Sequence, residues 1–236
     1  MGEDSLRSGS DGEKSSKSVI SLYALLRVLK GVGVATKTST EVSELVTRWT
    51  STNLWLRQNI RSDTADPRDS QGDATIAHSL REWSDVIAHD LEVEKGRHLA
   101  RLALGVAFLR ENGRRGVEVT EEDLSYVWTL IHGSLANTER VRCVATRSGF
   151  VAVPLCTLLD GERIEELFRL HIWLPDGNRG GYDYAIRSHQ SFAQSWVLAG
   201  QEKELSYRVD SNPLLTNATH AYTNSLGSTI IAKAPT

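Results

Sequence analysis

Cysteine is nearly missing. Cys143 and Cys156 are the two in 236 residues, too few for a disulfide framework or a thiolate zinc site, and both are expected as reduced, partly buried thiols. Proline is scarce at five, which with 18 glycines excludes collagen-like and low-complexity chains. The longest apolar stretch begins at Val19 and is broken by Arg27 and Lys30, well short of the roughly 20 residues that a spanning helix needs. An excess of positive charge is also lacking. With a formal net charge of −3, neither nucleic acid nor an anionic membrane is expected as a partner. Four signatures are missing as well: the G-x-S-x-G nucleophile elbow, the phosphate-binding P-loop, the dinucleotide fingerprint and paired Cys ligands.

What is present is the composition of a globular protein, 40% apolar and 24% charged. The first seventeen residues, MGEDSLRSGSDGEKSSK, hold Gly, Ser and charge without an apolar run. Segment 1–17 is therefore expected as a solvated tail, and the chain as cytoplasmic. Residues 18–147 read as a helical region. Val19, Leu22, Tyr23, Leu26 and Leu29 are at helical spacing, as are Leu45, Trp49, Leu56 and Ile60. The period resumes at Ile76, Leu80, Trp83, Ile87 and Leu91, and again at Leu99, Leu102, Val106 and Leu109, with a stop expected at Asn112-Gly113. Thr120 with Asp123 resembles a capping box ahead of Leu124, Val127, Trp128 and Ile131. The run SDTADPRDSQGD over 62–73 has nothing to bury and is expected as a loop.

From Gly149 the period changes to that of strands, so 148–236 reads as an antiparallel β region. Strands are expected over Phe150–Leu159, Leu167–Leu174, Tyr182–Ser188, Gln194–Leu198, the LSYRV run and Ser228–Ala232, with turns at Asp160-Gly161 and Pro175-Asp176-Gly177. About six strands are fewer than a closed double-layer barrel would want. In LFRLHIWL, Leu167, Arg169, His171 and Trp173 share one face, and Phe168, Leu170, Ile172 and Leu174 the other.

The stretch GYDYAIRSHQSFAQSWVLAG over 181–200 resembles the first conserved motif of the cupin superfamily. That motif runs Gly, five residues, His-x-His, three or four residues, Glu, then Gly. Gly181, Arg187-Ser188-His189, Gln194 and Gly200 stand at nearly that spacing. With LFRLHIWLPDG before it, the segment is similar to cupin-like segments of fungal proteins. With the helical region read from periodicity, the expectation is an α+β chain: a helical N-terminal region followed by an antiparallel β segment that the resemblance makes cupin-like (jelly-roll), here incomplete or shortened.

The departures shape the chemistry that the resemblance implies. Metal-binding cupins use two His and a Glu from this motif and a further His from a second one. Here Arg187 and Gln194 stand in two of those places. A guanidinium has no lone pair to donate, so binding of Fe, Cu, Ni, Mn or Zn is expected to be weak, with His189 as the remaining ligand. Arg187 is instead suited to clamp a carboxylate or phosphate, with His189 as ligand or proton carrier (the catalytic candidate), and Gln194 and His220 as further ligand-binding residues. The resulting expectation is a protein that either binds or transforms a small anionic or oxygenated metabolite, as an accessory of a fungal biosynthetic pathway. The alternative is a non-catalytic protein-interaction or self-assembling scaffold that uses an open sheet edge and the helices. His78, His89 and His98, with Glu82, Asp85, Asp90 and Glu94 nearby, read as solvated helix faces.

Overall fold

The computed structural model describes residues 18–53, 76–137, 142–146, 149–175 and 193–201, together with the backbone of three strands between 207 and 233. The described chain is α+β. Its elements are β1 (Val19–Ser21), α1 (Leu22–Thr36), α2 (Ser39–Thr52), β2 (Ala77–Ser79), α3 (Leu80–Asp90), α4 (Glu94–Arg115), α5 (Glu121–Ala136) and β3 (Val144–Ala145). They continue with β4 (Val151–Asp160), β5 (Arg163–Ile172), β6 (Tyr207–Ser211), β7 (Thr219–Asn224) and β8 (Thr229–Lys233).

Two helices start later than the periodicity predicts. Val19–Ser21 and Ala77–Ser79 pair as antiparallel strands, with Ile20 opposite His78. Each strand ends on a serine that caps the helix behind it. Ser21 accepts from the Ala24 amide at 3.1 Å, and Ser79 makes a reciprocal box with Glu82. Trp83 then donates its indole N–H to the Ile20 carbonyl at 2.8 Å, satisfying a group that is wholly buried. Three apolar positions cannot distinguish a helix turn from a short strand, and here the cross-chain pairing decides.

Helix α4 runs through the core, burying Leu99, Leu102, Ala103, Val106, Ala107 and Phe108. It continues past the expected stop, because Asn112 is held inside. The Asn112 amide donates to the Phe108 carbonyl at 2.8 Å and accepts from the Ser18 hydroxyl at 2.5 Å. The helix ends instead at Gly116, whose φ of 63° is the left-handed region open to glycine. Thr120 caps α5 as expected, accepting from the Asp123 amide at 3.1 Å.

Strands β3, β4 and β5 form an antiparallel sheet in that order, and β6, β7 and β8 another. The described strands do not trace a jelly roll. Val153, Leu155, Cys156 and Leu158 of β4 belong to the same buried cluster as α1 and α4, so helices and hairpin share one core. Helix α1 lies directly on β4 at Gly31. A side chain begun there would meet the Cys156 Sγ at 2.6 Å, the Leu158 Cδ2 at 2.7 Å and the Thr157 carbonyl at 3.0 Å.

The β4–β5 ladder carries two irregularities. Between Pro154 and Cys156 the extra residue is Leu155 on β4, and between Leu158 and Leu159 it is Glu165 on β5. Leu155 and Cys156 are consequently both buried, and Glu165 and Glu166 both reach arginines of the helices. The parity expected for LFRLHIWL holds over its central part, with Phe168 and Leu170 packed on the core and Leu167 and Trp173 exposed.

The segment 193–198 is not a strand. It lies on the C-terminal end of α4, with the Trp196 ring 3.1 Å from where a Gly113 side chain would begin. Its alternation reflects this docking and not a ladder. Strand β7, THAYTN, is one that the apolar pattern alone did not predict; β8 falls where Ser228–Ala232 was expected.

Candidate functional site

Of the residues singled out by the cupin resemblance, Arg187 and His189 lie outside the described residues, as do Tyr182–Ser188 and the 62–73 loop. Gln194 is described. It is exposed, and its Oε1 rests against Gly113 of α4. His220 belongs to β7, opposite Ser211 of β6 and Ala232 of β8. Of the four, Gln194 alone has its side chain among the described residues. Among the described residues, no three His, Cys, Asp or Glu side chains converge as a metal site would require. Arg187 has no lone pair to offer a metal at its place in the motif.

The densest charge cluster joins the helices to the sheet. Arg110 of α4 is 4% exposed. It donates from Nε and Nη2 to the two carboxylate oxygens of Glu166 at 2.9 and 2.8 Å, and from Nη1 to Glu111 at 2.8 Å. Arg114 adds a contact to Glu166 at 2.8 Å, and Arg27 of α1 pairs with Glu165. Burial by itself would raise the Glu166 pKa, but the Arg110 hydrogen bond and charge, with those of Arg114 and Arg27, hold it below the usual glutamate value. Burial would lower that of Arg110, and its three glutamates raise it instead. The pair is geometrically saturated, a two-pronged clamp and not a site in waiting. Beneath it, burial pushes the Cys156 thiol up to about 12, so it is no nucleophile.

A second polar group is not saturated. A cleft of about 270 Å³ opens between α3, α4 and α5. Its lining includes His98 and Arg101 on α4 and Tyr126, Thr129, Ser134 and Asn137 on α5. Both ring nitrogens of His98 and the Nε of Arg101 are closed off from solvent without a hydrogen-bond partner among the described residues. Glu94 Oε1 comes within 3.5 Å of the His98 Nε2, but that carboxylate is 76% exposed and gives no hydrogen bond. The His98 side chain is 13% exposed, so the expected solvated helix face is in fact a cleft wall.

An unpaired buried nitrogen costs roughly 1–3 kcal/mol. Beside one opening, the Arg101 Nε–H and an imidazole N–H are a standing demand for acceptor atoms. Sequence reading missed this site, although a signal was there: Tyr126, Thr129, Gly133 and Asn137 form a polar stripe at helical spacing. His98 and Arg101 stand three residues apart on the helix that packs against it. No family model, curated protein or solved structure matches the chain.

Proposed function

We propose that this is a cytoplasmic protein that binds a small anionic or oxygenated metabolite, held in the helical cleft by Arg101 and His98. The observation that carries the reading is the set of unpartnered nitrogens on the cleft wall. A guanidinium is charged at any working pH, and its fork suits a carboxylate or phosphate. The His98 nitrogens and the Arg101 Nε are shielded from solvent, so a ligand would reach them only after those side chains turn outward. No carboxylate is among the lining residues, and Glu94, which comes within 3.5 Å of the His98 Nε2, is mostly exposed.

The cupin-type version places the anion at Arg187, with His189 and Gln194 beside it in a jelly-roll segment of the fungal kind. It is supported by the resemblance over 181–200. One experiment separates the two. Titration of inorganic phosphate or acetate into the full chain is expected to show binding that Arg101→Ala weakens at least about tenfold, with little change in melting, and that Arg187→Ala leaves intact. Loss in Arg187→Ala alone transfers the anion site to the cupin-like segment.

A second reading, the self-associating scaffold, is favoured by the exposed apolar side chains of the β4–β5 hairpin. Ile164 is 62% exposed and Leu159 44%, a grouping uncommon on a surface that meets only water. Light scattering at high concentration is expected to give at least a dimer, weakened by Ile164→Lys. A monodisperse monomer overturns it.

A further inference from the structure

The two long walls of the cleft differ in what they offer. On α4 the wall is cationic through Arg101, and the Arg101 guanidinium and the His98 ring each carry an N–H to donate. On the α5 side, two of the polar groups have turned a proton toward their own helix. Thr129 donates its hydroxyl to the Ser125 carbonyl at 3.1 Å, and Asn137 gives an amide N–H to the Gly133 carbonyl at 2.7 Å. A hydroxyl has one proton, so Thr129 meets a ligand with oxygen lone pairs, while Asn137 keeps its Oδ1 and one further N–H, a combination that a hydroxyl can both donate to and accept from.

A ligand matching both walls carries an anionic group at one end and a hydrogen-bond donor along its chain. An ammonium donor is disfavoured. It would sit across from Arg101 without a carboxylate on the lining to balance it. A hydroxyl supplies the proton without the charge. The cleft of about 270 Å³ holds the volume of about nine water molecules at roughly 30 Å³ each, room for a short chain. Resting on the small-anion reading above, we propose that the ligand class is a hydroxylated short-chain carboxylate, its carboxylate on Arg101 and His98 and its hydroxyl on Thr129 and Asn137.

The test compares 3-hydroxybutyrate with butyrate, which differ by one hydroxyl, by calorimetric titration of the full chain, with inorganic phosphate as a third probe. The hydroxy acid is expected to bind up to about tenfold more tightly. In a Thr129→Val, Asn137→Ala variant the two acids should become equal, with the butyrate affinity changed by less than about twofold. A melting curve confirms that this variant is folded. Equal affinities in the unaltered protein, or a preference that survives in the variant, overturn the assignment of the hydroxyl while leaving the anion site standing. If butyrate, 3-hydroxybutyrate and phosphate all fail to bind, the anion reading and this one fall together.

Discussion

Replacing Glu166 by alanine is expected to cost about 3–5 kcal/mol of folding stability, because it strands a guanidinium inside the protein. Arg110 is 4% exposed and would keep Glu111 as its partner at 2.8 Å, too little for five N–H donors. The reverse change, Arg110→Met, leaves Glu166 with Arg114 at 2.8 Å and a partly open face, so it should cost less. Removing both charges with apolar side chains of similar volume should recover most of the loss. Urea unfolding of the two single variants and of the Arg110→Met, Glu166→Leu double variant measures all three. A double variant as unstable as the sum of the singles would show no coupling between the two side chains, and the clamp would then carry no interaction energy of its own.

The pH dependence has a definite sign. Because the folded-state pKa of Glu166 lies below its ordinary value of 4.5, its stabilisation is complete above that pH. It disappears as pH falls through the lower folded value, where both states are protonated. The stability gap between the native chain and Glu166→Ala should therefore narrow on acidification below about pH 4.5.

The second large effect is at Gly31. Alanine in a helix interior is worth about 1 kcal/mol over glycine, so an exposed position would gain. Here the new methyl would stand 2.6 Å from the Cys156 Sγ and 3.0 Å from the Thr157 carbonyl, and a backbone oxygen in a sheet cannot step aside. Overpacking of this kind costs about 1–3 kcal/mol and occasionally more, so Gly31→Ala should lower the melting temperature and Gly31→Val should lower it further. Cys156→Ala removes the nearest atom, and in that background the Gly31→Ala penalty should shrink. A raised melting temperature for Gly31→Ala would mean that α1 does not press on β4 this closely.

Where a pattern ran for several turns, the amino-acid order was sufficient. The stripe of Leu99, Leu102 and Val106, the Thr120 cap and the central parity of LFRLHIWL each rest on local geometry, and each has its counterpart in the structure. Misreadings occurred where a distant partner decides. Ser18 and the Phe108 carbonyl hold Asn112 inside a helix that its own preference would have ended. Trp196 finds a helix and not a neighbouring strand. His98 looked like a solvated face because its neighbour Glu94 is one; only the approach of α5 closes over it. The cleft is a product of tertiary contact, and an isolated helix holds half of it.

The paired irregularities of the β4–β5 hairpin have an evolutionary corollary. Leu155 lengthens one strand by a residue and Glu165 lengthens the other, so both ends of the ladder stay in step although its middle is displaced. Loss of either residue alone would put the two ends out of phase and turn a run of side chains inside out. Indels in this stretch should be inherited in couples, one on each arm, and a lineage that shed Glu165 would be under pressure to shed Leu155 as well.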